Sequence, residues 1–174
     1  MDLEAFGIKL LKKHGLSETI INHSIGVSHI AYELATKINS KAAEEIVDSK
    51  KLYLAGLLHD IGKSREGMHE FNSVDILKEE GLEELSEIIM HGFVYEHFKL
   101  KGREDKGLLP KTLEQKILCL ADMYCDQNQK KVSIGERFDD IFERCSNDKD
   151  FLKVVELAKP RILKLEEEIN SLIN

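Results

Sequence analysis

Residues 53–63 read Tyr-Leu-Ala-Gly-Leu-Leu-His-Asp-Ile-Gly-Lys, an apolar run that ends abruptly in His59 and Asp60. Two ionisable side chains at the inner end of an apolar helix are costly to bury unless something compensates them. A divalent metal is such a compensation. A helix turns about 100° per residue, so His59 and Asp60 point in neighbouring directions and share an ion only with ligands from elsewhere. Gly62 then breaks the helix, and Lys63 follows the carboxylate by three residues. From there its ammonium can reach a phosphate oxygen held at the metal.

Working outward, the segment from Ser17 to Asn39 has a capping residue at its start and Ile21, Ile25, Ile30, Leu34 and Ile38 along one side. His23 precedes Gly26, Val27 and Ile30 at i+3, i+4 and i+7, which turns it inward. A lone inward histidine is ordinarily a hydrogen-bonded core residue; the His59-Asp60 pair gives this one a second reading. Asp122 is the one charge in Ile-Leu-Cys-Leu-Ala-Asp-Met-Tyr, within a helix expected over 113–126. A carboxylate buried there needs a partner, and metal ligation explains it better than a structural salt bridge. His69 and His91 bracket a segment read as two short helices, Phe71–Gly81 and Leu82–His91, the second with Leu85, Ile88 and Ile89 as its apolar stripe. His14, at a helix end, His29, about 240° around the helix from His23, and His97, in a less regular stretch, fall outside the set.

The rest of the chain reads as helices and polar connections. A first helix covers Glu4–His14, a short one Lys41–Val47, and Asp48 or Ser49 caps the helix that ends at His59. Residues 100–112, rich in charge and glycine, read as a mobile surface loop, plain and solvated before it is a cover for a pocket with Lys101, Arg103 or Lys106 meeting an anion. Helices over 133–145 and 151–173 close the bundle, the last begun or kinked by Pro160. Arg65 and Arg137 are further candidate phosphate contacts. The expected fold class is all-α, a single-domain helical bundle over residues 1–174.

Composition narrows the function classes. No apolar run is long enough to span a bilayer and the N-terminus does not read as a signal peptide, so a cytoplasmic protein is expected. Cys119, Cys125 and Cys145 are odd in number and lack C-x-x-C spacing, against both a disulfide framework and a thiolate zinc site. A net charge of −7 disfavours extended nucleic-acid binding, but leaves room for a small anion in a locally positive pocket. A homo-oligomer is compatible with this composition, since an apolar dimer face looks like another core stripe.

Taken together, His23, His59-Asp60 and Asp122 stand in the order H…HD…D, with Ala-Gly-Leu-Leu-His-Asp-Ile-Gly-Lys around the pair. This resembles the HD superfamily of metal-dependent phosphohydrolases over about residues 20–126. The resemblance implies that His23, His59, Asp60 and Asp122 bind a principal metal, that His69 and His91 serve a second, and that Asp60 bridges them. Where the cyclic-dinucleotide phosphodiesterases of the superfamily carry a second histidine after the one matching His91, this chain has Gly92. Imidazole and carboxylate donors suit manganese, iron, nickel, cobalt or zinc, as one or two ions. The implied activity is hydrolysis of a phosphate ester or anhydride of a nucleotide or similar small molecule by metal-activated water. Asp60 would hold metal and orient water, and Lys63 would stabilise the phosphoryl oxygens. A likeness to bacterial HD-type diadenosine tetraphosphate hydrolases makes dinucleoside polyphosphates one substrate to test. Two other readings stand beside this one: an HD-fold di-iron oxygenase, and a non-catalytic metal-containing nucleotide-binding protein. Selectivity is expected from the 62–71 and 92–112 loops.

Overall fold

Short polar side chains set most of the helix starts in the computed structural model, which describes residues 2–42 and 44–174. Asp2 accepts from the Glu4 and Ala5 amides and opens α1 (Leu3–Lys13), and Ser17 opens α2 (Glu18–Lys41). Asp48, accepting from Lys50 and Lys51, opens α3 (Ser49–Leu58). A 3-10 turn at Ile61–Ser64 leads into α4 (His69–Glu79), α5 (Glu83–Ser86) and α6 (Val94–Leu100). Capping boxes start α7 (Leu113–Met123) through Thr112 and Gln115, and α8 (Ile134–Arg144) through Ser133 and Glu136. Asp148 caps α9 (Lys149–Ile173). Each cap answers amide groups that a helix start leaves unpaired, worth about 1 kcal/mol apiece.

The architecture is all-α, with no strand among the described residues. The long α2 packs along α3 and α7, α1 lies on α3, α4 covers the 3-10 turn, and α9 crosses α2, α6 and α7. Leu11, Ile38, Leu52, Leu57, Leu58, Ile76, Ile117 and Phe138 fill the space between them. Cys119, Cys125 and Cys145 are free thiols. No helix among the described residues is long and apolar enough to cross a membrane.

Three expectations need correction. Lys41–Val47 is not a separate helix: Lys41 ends α2, and Ala43 lies outside the described residues. The Asn39 side chain accepts from the Ile46 and Val47 amides at 3.1 and 3.2 Å and donates to the Val47 carbonyl at 2.8 Å. Those backbone groups are thereby taken from any helical ladder. Leu82–His91 is helical only at Glu83–Ser86. Beyond it the Gln115 amide donates to the Glu87 carbonyl and His91 Nδ1 to that of Ile89, at 2.7 Å each, so side chains hold the strip that ends at His91. Pro160 does not begin the last helix but lies inside α9.

Candidate metal centre

His59 sits at the C-terminal end of α3 and Asp60 in the step to the 3-10 turn, where their exposures are 0% and 1%. One serine of α4 straps this corner. The Ser73 hydroxyl donates to the His59 carbonyl at 2.9 Å and accepts from the Gly62 amide at 2.8 Å. Gly62 is required by close approach: a Cβ there would run into the His69 carbonyl oxygen and the Ser73 nitrogen, both backbone atoms of α4. Gly62→Ala is therefore expected to cost about 1–3 kcal/mol in a urea melt and to displace His69. An unchanged midpoint would contradict the packing of α4 on the turn.

The histidines around this corner share a design. Nδ1 donates to a backbone carbonyl in His23 (to Asp126, 3.0 Å), His59 (to Gly56, 2.6 Å) and His91 (to Ile89, 2.7 Å). A carbonyl only accepts, so the Nδ1 proton is fixed and Nε2 is turned toward the centre. His23 Nε2 lies 3.0 Å from Asp122 Oδ1, and His59 Nε2 lies 3.8 Å from that oxygen and 3.5 Å from Asp60 Oδ2. On the other side, Asp60 Oδ1 faces His69 Nε2 at 3.3 Å and His91 Nε2 at 3.8 Å. Two sets of ligand atoms, from His23, His59 and Asp122 and from His59, Asp60 and His91, each lie within 4.8 Å of one another.

These residues fit a metal on an observation of the protein alone. His59 Nε2 and Asp60 Oδ1 are buried with no hydrogen-bond partner. Leaving such groups unpaired costs about 1–3 kcal/mol each, which a cation between them removes. The donors are nitrogen and oxygen throughout, so the grouping can hold a divalent metal.

Electrostatics within the cluster follow burial and pairing. Burial works against charging His23, but its bonds to Asp122 and Cys125 and the nearby carboxylates outweigh it and push its pKa up to about 10. His59, completely buried, is pushed down to about 3 despite Asp60. Burial likewise lowers His69. Burial would raise both carboxyls, yet His59 and Lys63 hold Asp60 below its ordinary value and the bond from His23 holds Asp122 well below. In the metal-free protein, the His23 contribution is complete below its ordinary 6.5 and fades as pH rises toward 10. His59 takes up its proton more readily unfolded, so stability also falls as pH drops from 6.5 toward 3. With chelator present, the urea midpoint is expected to peak near the ordinary 6.5 and fall on either side. A midpoint rising steadily through the alkaline range would contradict the His23–Asp122 pairing.

Further side chains fix these histidines and Asp60 in place. Glu70, buried, lies 3.3 Å from His69 Nδ1 through Oε2. Lys63 Nζ bonds Asp60 Oδ2. Arg161 of α9 donates to both Glu96 oxygens, at 2.6 and 2.9 Å, and to the Gly92 carbonyl at 3.0 Å, pinning the residue after His91. Gly92 itself has φ +71°, and a Cβ there would lie 3.1 Å from Glu70 Oε1.

A cavity of about 470 Å³ opens over the cluster. Its lining includes His23, Asp60, His69, His91, Asp122, Lys63 and Arg137, while His59 lies beneath. Arg65 is not brought there: it is exposed and forks onto Glu79 with bonds of 3.1 and 2.5 Å. The 100–112 loop does not line the cavity either, in keeping with the plain solvated loop read from its charge and glycine content. Its groups are engaged locally, Arg103 with Asp105 and over the Phe98 ring, and Glu104 with Tyr95. Arg137, Ile141 and Arg144 of α8 and Phe151 and Val154 of α9 complete the lining instead. Glu70, Glu96, Arg144 and Arg161 were not singled out from the sequence. Arg144 alone carries a signal, its seven-residue spacing from Arg137; Glu96 and Arg161 are brought together only by the fold.

A family model for the HD domain matches residues 20–125. The chain is 35% identical over 168 residues to an uncharacterized protein of Methanocaldococcus jannaschii, covering 92% of this chain and 94% of the relative. It is 28% identical over 173 residues to a tRNA (cytidine(56)-2'-O)-methyltransferase of Thermoplasma volcanium, covering 95% of this chain but only 46% of that protein. No solved structure matches the chain.

Proposed function

The chain belongs to the HD-domain family, within a superfamily of metal-dependent phosphohydrolases, and from that premise we propose that it hydrolyses a phosphate ester or anhydride of a nucleotide or similar small molecule. The observation that carries this reading is the buried, unpartnered pair His59 Nε2 and Asp60 Oδ1 beneath a cavity that also holds Lys63 and Arg137. His23, His59, Asp60 and Asp122 hold a first divalent ion, and Asp60, His69 and His91 a second. Asp60 suits a bridging role because Oδ2 faces His59 while Oδ1 faces His69 and His91. Manganese, iron, nickel, cobalt and zinc all accept this donor set. Metal bound there supplies water of lowered pKa and neutralises phosphoryl charge.

The chain's own residues do the positioning. Lys63 moves from Asp60 to the phosphoryl oxygens when substrate enters, and Arg137, with Nη2 3.9 Å from Asp122 Oδ1, meets the same group from α8. Arg65, committed to Glu79, has no part in this proposal. The left-handed backbone at Gly92 and its closeness to Glu70 disfavour a histidine there, which speaks against a cyclic-dinucleotide site. Methyl transfer is not carried over from a relative of which this chain spans less than half.

The test is chromatographic product analysis of manganese-loaded protein, purified without oxygen and offered mononucleotides, cyclic nucleotides and dinucleoside polyphosphates. A product absent from an Asp60→Asn control supports hydrolysis. Oxygen consumption coupled to substrate cleavage by the iron-loaded protein would replace it with the oxygenase reading. Tight nucleotide binding without any product would leave a sensor.

A further inference from the structure

Helix α8 sets Arg137 and Arg144 seven residues apart, about two turns, and both side chains line the cavity. Their guanidinium groups converge on one carboxylate. Arg137 Nη1 donates to Asp140 Oδ2 at 3.0 Å, and Arg144 Nε donates to Oδ1 and Oδ2 at 3.0 Å each. Asp140 offsets one of the two positive charges. Counted by themselves, Arg137, Asp140 and Arg144 keep one net positive charge in a chain whose net charge is −7, with Asp122 Oδ1 3.9 Å from Arg137 Nη2.

The two arginines are not equivalent. Arg137 is buried, reaches toward the candidate metal ligand Asp122, and keeps its Nε without a partner. Arg144 is 42% exposed and sits two turns farther along α8, its head held by Asp140, which also accepts from Arg137. The bonds to Asp140 engage one N–H of each guanidinium, which leaves most of each five-donor fork for a ligand. A single phosphoryl group at the metal cluster meets Lys63 and Arg137. Arg144 lines the same cavity and is tied to Arg137 through Asp140, so it is the further cation available to a directly attached second phosphoryl group.

We propose that Arg137, Asp140 and Arg144 form a subsite for a second phosphoryl group, so that the substrate carries adjacent phosphoryl groups, as a nucleoside diphosphate or longer phosphoanhydride does. A lone monoester or an internal cyclic ester leaves Arg144 without a partner. This assignment rests on the hydrolytic reading above and narrows its substrate class.

Isothermal titration separates the two ideas. Pyrophosphate and orthophosphate are titrated into manganese-loaded wild-type, Arg144→Met and Arg144→Lys proteins at constant free manganese. Wild-type protein is expected to bind pyrophosphate at least about tenfold more tightly than orthophosphate, as for a charge-assisted hydrogen bond to arginine. Arg144→Met should lose most of that preference and Arg144→Lys keep part of it. Because Arg144 is 42% exposed, the variants should fold and hold manganese as the wild type does. Equal affinities for the two anions in wild-type protein would overturn the subsite without recourse to any variant, as would an undiminished preference in Arg144→Met. An Arg144-dependent pyrophosphate preference with no product from the substrate panel would keep the subsite and remove the hydrolytic reading. Monoester hydrolysis with equal anion affinities would do the reverse.

Discussion

Replacing Asp60 with Asn is expected to lower product formation by about a thousandfold, because it removes a carboxylate that would hold the cations stabilising transition-state charge. The substitution keeps the shape of a side chain that is 1% exposed, so the core around it should be undisturbed. What it removes is the charge that two sets of histidines face. Oδ2 lies beside His59 and Lys63, and Oδ1 beside His69 and His91. An amide offers one acceptor oxygen in place of two and puts an N–H₂ donor against either an ammonium or the imidazole nitrogens. Metal content measured by mass spectrometry should fall with activity. Lys63, 37% exposed, can turn to solvent, so the loss of its partner adds little to the folding cost. Wild-type metal content and turnover in Asp60→Asn would remove this residue from the centre.

Arg161→Ala is expected to destabilise the protein by about 3–5 kcal/mol, the cost of leaving a buried charge without its partner. Glu96 is 2% exposed, and Arg161 supplies both of its close bonds. The same guanidinium holds the Gly92 carbonyl, so its loss also slackens the chain next to His91. Against a typical total stability of about 5–15 kcal/mol, such a loss is easily read by urea denaturation. Because the penalty comes from the orphaned carboxylate, the double variant Glu96→Gln/Arg161→Met should recover a large part of it. A change within about 0.5 kcal/mol for Arg161→Ala, the range of an ordinary surface substitution, would show that the pair is not structural.

How far the sequence reached depended on how local each signal was. The starts of α2, α3 and α8 were legible because a serine or aspartate stands directly before an apolar-periodic run, and the capping bonds form within three residues. The inward turn of His23 followed from helical spacing, and the structure places it 2% exposed beside Asp122. His69 and His91 entered through family resemblance, because each stands where periodicity ends. The segment after α5 read as helix from its apolar stripe, but the partner that holds the Glu87 carbonyl is Gln115, far along the chain. Arg65 and Arg137 looked alike as isolated cations. Only folding sent one to Glu79 and the other into the cavity wall. The Glu96–Arg161 clamp was illegible for the same reason, since it depends on α9 crossing α6.

The claim at the centre of this account is that the orphaned atoms of His59 and Asp60 are metal ligands. Anomalous diffraction from crystals of the manganese-loaded protein, collected on either side of the manganese edge, tests it most directly. The expected result is a peak within coordination distance of His59 Nε2 and an Asp60 oxygen, flanked by His23 and Asp122, with a second peak toward His69 and His91 when the centre is fully loaded. Density that leaves His59 Nε2 without a metal neighbour, while manganese is found elsewhere on the chain or not at all, would contradict the account.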